Sequence, residues 1–177
     1  MKPLNLITLM NYAWHERNKK NGDQYSEECM NLCTHAYAEI KDIIGYNSEN
    51  EQKLFITFQH LFVFIMKSDN EFLQGEYDAY CKFSKWAKYK PLKVEEVNNL
   101  YKKLTIDNLV QDISYIASFR NRIDDGKYEA LVLAFCFLSL LGDSSFDENE
   151  YYIIRCFFNK GYDYCPNDWE TFKREWK

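Results

Sequence analysis

Apolar side chains recur every three or four positions along most of the chain, which is the period of an α-helix with one buried face. Ile7, Met10, Tyr12 and Trp14 predict a first helix that stops before the polar residues 18–24, which include Gly22. Ser26 is the expected N-cap of a second helix carrying Met30, Cys33, Tyr37, Ile40 and Ile44, with Gly45 just past its end. A third helix is predicted over residues 51–67 and a fourth over 74–88, and Pro91 bars further helix there. Shorter helices follow over 94–103 and 107–119, then two more over 127–141 and 148–159. Pro166 and Asn167 open a short terminal helix with Trp169, Phe172 and Trp176. No stretch alternates with period two for long enough to predict a strand.

Composition agrees with this pattern. Only 6 Gly and 3 Pro punctuate 177 residues, which argues against a many-turned β-sandwich. Hydrophobic residues make up 46%, with 14 Tyr, 13 Phe and 4 Trp to fill a core. One domain is expected at this length. The net charge of −5 is spread over both halves and creates no global field for nucleic acid or an anionic membrane. The longest apolar run, residues 130–141, is interrupted by Ser139 and is too short to span a bilayer. The first eleven residues lack the long apolar core and cleavage site of a signal peptide. The six cysteines contain no CxxC pair and read as reduced thiols. A cytoplasmic location is therefore expected.

An internal repeat is the most informative feature. Asp69, Phe72, Glu76 and Tyr77 match Asp143, Phe146, Glu150 and Tyr151, both reading D-x-x-F-x-x-x-E-Y at an offset of 74 residues. Leu61, Phe64 and Met66 fall on Phe135, Leu138 and Leu140, while Tyr80 and Phe83 fall on Ile154 and Phe157. Each unit is an apolar helix, an acidic elbow and an amphipathic helix, so one αα-hairpin is used twice. The elbow has a structural role on physical grounds. Its Asp accepts from loop N–H groups, its Phe turns inward, and its Glu sits at the positive end of the next helix. Asp147 and Glu150 have capping-box spacing, whereas Leu73 stands at the corresponding cap position of the first copy.

These residues resemble the TerB-like family, an all-helical domain of two hairpin halves whose hallmark is an apolar helix ending in D-G-x-[hydrophobic]-x-x-x-E. The resemblance covers residues 51–160; residues 1–50 and 161–177 lie outside it. Asn70 and Ser144 stand where the family has Gly. The resemblance implies a non-enzymatic adaptor or sensor module. Family members take part in tellurite and other stress responses, in phage defence, and as a module of a membrane-anchored DnaJ-type co-chaperone. It also implies a divalent-cation role for the acidic residues, here Asp69, Glu76, Asp143 and Glu150, or an unknown protein partner.

Other groups were weighed against simpler roles. An EF-hand is excluded, because Glu148 and Leu73 occupy its glycine position and Ile154 and Tyr80 its bidentate glutamate position. Asp124 and Asp125 precede the most apolar helix as capping residues, or as acidic groups of a small-molecule pocket between the hairpins. Cys29 and Cys33 with His35 and His15 have zinc-compatible spacing, yet Cys33 shares a core stripe with Met30, Tyr37 and Ile40. His60, between Phe58 and Leu61, reads as a packed imidazole. Lys82, Lys85, Lys88, Lys90 and Lys93 are threaded by Phe83, Trp86 and Tyr89, either a solvated face or a weak single-stranded nucleic-acid site. Nucleophile-elbow, phosphate-loop, zincin and dinucleotide motifs are absent.

The expectation is one all-α domain of seven to nine helices built on two repeated hairpins. Residues 127–141 should form a helix buried on all sides and paired with its repeat mate, residues 54–66. Exposed aromatics at Tyr151, Tyr152 and 169–176 should form a partner surface.

Overall fold

The helices begin where polar side chains can satisfy their free N–H groups. The computed structural model describes residues 1–45, 47–68, 74–141 and 145–176. Helix α1 (Leu6–Lys19) starts where the Asn5 side chain accepts from the Thr8 N–H. Helix α2 (Gly22–Ile44) starts earlier than the sequence suggested. Its cap is Asn21, not Ser26: Asn21 Oδ1 accepts from the Gln24 N–H at 2.8 Å and the Gln24 side chain accepts from the Asn21 N–H at 3.2 Å. This reciprocal box satisfies two orphan donors at once, which a lone serine further along does not. Gly45 ends the helix at φ +70°, as expected of a residue freed of Cβ strain.

Asn47 caps α3 (Ser48–Ser68), accepting from the N–H groups of Glu49 and Asn50. Helix α4 (Gln74–Trp86) is two residues shorter than predicted, because Lys88 turns to φ +68° and the Tyr89 N–H closes on the Ser84 carbonyl at 2.8 Å. Then come α5 (Val94–Lys103) and α6 (Ile106–Ala117), the latter capped by Thr105. Asp124 caps α7 (Asp125–Ser139), and Asp147 caps α8 (Glu148–Ile154), which tightens into a single 3-10 turn, Arg155–Phe157. Asp168 holds the start of α9 (Trp169–Trp176). The described residues contain these nine α-helices and no strand. The one extended pairing is a parallel bridge between Asn5 and Tyr164.

Packing follows from the aromatic content. A chain of ring contacts runs from Tyr89 through Phe55, Phe83, Phe58 and Phe135 to Phe157, with centroid separations between 4.0 and 6.2 Å. It crosses from α4 through α3 to α7 and ends in the turn after α8, so one spine runs through the single domain. Helix α7 is buried almost all round, as its composition requires. Its main neighbours differ from the expectation, however. It packs chiefly on α2 and α1, with α3 and α8 also in contact. Tyr25 of α2 stacks on Phe137 at 5.1 Å and donates to its carbonyl at 2.6 Å. Helices α1 and α2 therefore contribute their buried faces to the core.

The C-terminal aromatics also depart from the expected surface. Residues 169, 172 and 176 share one face of α9, and that face closes on Phe146 and Tyr151. Phe172 and Tyr151 are fully buried and both tryptophans half-buried, because a one-sided aromatic stripe gains more by packing than by exposure. The chain ends are tied by a buried ion pair. The Asp163 carboxylate accepts from Arg120, from the Leu4 N–H at 2.8 Å and from the Asn159 N–H at 2.6 Å.

Candidate functional site

The elbow residues Asp69, Phe72 and Asp143 lie outside the described residues. What flanks them is clear. Glu76 occupies the first turn of α4 and Glu150 the first turn of α8, where a carboxylate meets the positive helix end. Both side chains are buried. Asp147 Oδ1 accepts from the Glu150 N–H at 2.8 Å, the capping bond expected from their spacing. Phe146 is buried as predicted but turns onto α9, packing on Phe172 at 5.3 Å.

The two glutamates do not share a site. Glu150 borders a cavity of about 10 Å³ among Leu61, Phe64, Phe135, Ser139 and Ile154, where α3, α7 and α8 meet. Glu76 borders a cleft of about 770 Å³ between the first halves of α2 and α4. Gly75 and Glu76 lie shortly after the first elbow, and Leu141 directly before the second, and all three line this cleft. The flanks of both elbows therefore meet at one opening.

The charge of the cleft comes largely from α2 and α4. Asp23 and Glu27 are four apart on α2, and Glu76 and Asp78 stand on α4. Asp23 and Glu76 answer the positive ends of their own helices. Two cations oppose these four carboxylates, Arg17 and Lys82. Arg17 is already engaged, since its Nε donates to the Leu140 carbonyl at 3.1 Å and its guanidinium lies 5.5 Å from the Tyr25 ring. Met30, Ala79 and Leu141 provide the apolar lining. The result is a net acidic, partly apolar groove.

The remaining sequence candidates are dispersed. Asp124 and Asp125 sit at the N-terminal end of α7, about 22 Å of helix from its C-terminal end beside the cleft. Asp124 caps the Gly126 N–H at 3.0 Å and Asp125 accepts from the Lys2 N–H at 2.8 Å. Neither residue lines the cleft, which lies near the other end of α7. Cys29 and Cys33 are fully buried, whereas His35 is exposed, so the helix turns them to different sides. A hydrogen bond with Cys33 and burial together push the Cys29 thiol well above its ordinary range. No group of three or more His, Cys, Asp or Glu among the described residues is arranged to hold a metal ion. His60 Nδ1 lies 2.9 Å from Asp112 Oδ2 and ties α3 to α6, the packed role expected of it.

The acidic side chains of α2 were not singled out in the sequence. Their signal was weak but present, since Asp23 and Glu27 are i, i+4 neighbours on a helix whose opposite face is apolar. No helix among the described residues is long and apolar enough to cross a membrane. Compared with known proteins, the chain matches no family model, no curated protein and no solved structure.

Proposed function

We propose that this chain is a non-enzymatic TerB-like module, formed by a duplicated αα-hairpin, that binds a partner protein in a bacterial stress or defence response. Its binding surface is the acidic cleft between α2 and α4, and the partner contributes a basic segment with apolar side chains between its charges. The observation that carries this reading is the convergence of both elbow flanks, Gly75–Glu76 and Leu141, on one cleft. The duplication is supported by matched burial. Leu61 and Phe135, Phe64 and Leu138, Met66 and Leu140, Tyr80 and Ile154, Phe83 and Phe157, and Glu76 and Glu150 are all buried at the repeat offset.

A divalent cation held jointly by Asp69, Glu76, Asp143 and Glu150 has less support, since Glu76 and Glu150 border separate cavities. Titration calorimetry with a lysine- and leucine-containing peptide tests the reading, beside Ca²⁺, Mg²⁺ and Zn²⁺ as separate titrants. Peptide binding that falls at least tenfold in Glu27→Lys/Asp78→Lys supports the cleft. Absence of peptide binding, or binding unchanged in that variant, overturns it. Heat from a metal that disappears in Asp143→Asn would replace the partner with a cation.

A further inference from the structure

Two glycines at the cleft are not required by the fold. Of the five described glycines, Gly45 and Gly161 hold positive φ, and a side-chain carbon at Gly126 would crowd Asp124 Oδ1 at 3.3 Å. Gly22 and Gly75 differ. Each lies in the first turn of its helix without a positive φ, and a Cβ added there would meet no described atom within 4 Å. Glycine in such a position weakens a helix relative to alanine. Both line the cleft, Gly22 on the α2 wall and Gly75 on the α4 wall.

The walls define what fits between these glycines. Helices α2 and α4 run side by side in the same direction: residues 22–31 face 75–82 across the cleft, and Tyr37 then closes on Phe83 and Trp86 at 5.6 and 5.7 Å. The cleft is thus a groove open at the two helix starts. On α2 its lining of Gly22, Ser26 and Met30 follows one helix face, and the stretch from 22 to 31 is about 14 Å long, roughly two and a half turns. The described residues offer no strand edge, and beyond their first turns α2 and α4 bond their backbones internally. An extended segment entering the groove would lose water from its N–H and C=O groups and find no ladder to pair them. A helix brings those groups already paired. The chain's own lysine run does not fill the groove. Lys82 stands in its wall, and the segment carrying Lys90 and Lys93 is tied through Leu92 to Tyr77 Oη at 2.8 Å and Tyr80 Oη at 3.0 Å, neither of which lines the cleft.

We infer that the partner's segment is an amphipathic helix, lying in this groove with its backbone drawn close against Gly22 and Gly75. This deepens the partner reading and rests on it. Two facing positions without side chains allow the close approach, as glycine does wherever another backbone must come near. Asp23 and Glu27 on one wall and Glu76 and Asp78 on the other call for lysine or arginine on both flanks of the entering helix. Met30, Ala79 and Leu141 call for an aliphatic ridge between those flanks, with small residues where it meets the glycines.

Titration calorimetry with two peptides of lysine, leucine and alanine tests the inference, one stapled as a helix and the other interrupted by a central proline that forbids one. The stapled peptide should bind at least tenfold more tightly. Gly22→Ala and Gly75→Ala should each weaken its binding about tenfold, the cost of forcing a methyl group into a packed contact. Both should leave the urea midpoint unchanged or higher, because alanine suits these helix positions better. Asn99→Ala, on the exposed surface of α5, should leave binding unchanged. Binding that falls in Glu27→Lys/Asp78→Lys but in neither alanine variant overturns the helix while keeping the cleft as the partner site. Equal affinity for the proline peptide does the same. A urea midpoint lowered in both alanine variants also overturns the inference, since the fold itself would then need its glycines. If neither peptide binds, the partner reading fails and the helix with it.

Discussion

Replacing Asp163 by Asn should cost about 3 kcal/mol, and the reason lies in how many donors one carboxylate satisfies. Its side chain is fully buried and that of Arg120 is 9% exposed. Oδ1 accepts from the Leu4 N–H and from Arg120 Nη2 at 2.9 Å, while Oδ2 accepts from the Asn159 N–H and from Arg120 Nη1. Asn keeps one acceptor oxygen, and its amide turns a donor toward two other donors. It also leaves the guanidinium buried without a counter-charge. Breaking one side of a buried ion pair typically costs about 3–5 kcal/mol. In a chain of this length about 3 kcal/mol lowers Tm by roughly 6–12 °C. Urea unfolding followed by circular dichroism measures the loss. Hydrogen exchange at Leu6 and Tyr164, paired through the Leu6 N–H and the Tyr164 carbonyl at 3.0 Å, shows whether the chain ends open first. In an Arg120→Met background the same Asn substitution should cost at least 1.5 kcal/mol less, since the stranded charge is gone. A single variant within about 0.5 kcal/mol of wild type, or strict additivity in the double variant, refutes this account.

The same group predicts a pH dependence. Burial pushes the Asp163 carboxyl up, but hydrogen bonds from Arg120, Leu4 and Asn159 and the Arg120 charge outweigh it and hold the group below its ordinary 3.8. A carboxylate with a depressed folded pKa contributes its stabilisation above the unfolded value and loses it as pH falls through the folded one. Wild type should therefore lose stability on acidification below about pH 4 more steeply than Asp163→Asn does.

Two other predictions concern the cap and the thiols. Asn21→Ala should destabilise by about 1 kcal/mol, whereas Ser26→Ala should be nearly neutral, and comparing their urea midpoints tests where α2 starts. Iodoacetamide at pH 8 should modify at most Cys81, Cys156 and Cys165 in the native protein, with Cys29, Cys33 and Cys136 protected until unfolding. Burial pushes the Cys165 thiol up to about 11, so even its labelling should be slow by mass spectrometry, and native modification of Cys136 would contradict the buried α7.

The helices were legible in the sequence because their signals are local. Val94 to Lys103 was predicted to the residue, and elsewhere boundaries moved where a cap or a turn intervened, as with Asn21 and Lys88. Glu150 and its partner Asp147 were readable from three-residue spacing. The partners of α7 were not. An all-apolar helix carries no mark of which neighbour it prefers, so its repeat mate α3 was the expected partner, whereas Tyr25 of α2 meets Phe137. The aromatics of α9 looked like a free surface for the same reason, since nothing local announces that Phe146 waits opposite them.

Periodicity and capping chemistry act over three or four residues, and from them followed an all-helical chain, its elements and the buried half of each. Long-range closure alone made the rest. Asp163 reaches Leu4 across 159 residues and Arg120 across 43, and the cleft joins Arg17, Glu27, Asp78 and Leu141 from separate parts of the chain. Such groupings minimise buried charge and unfilled volume over the whole fold, a balance no short stretch of chain can express.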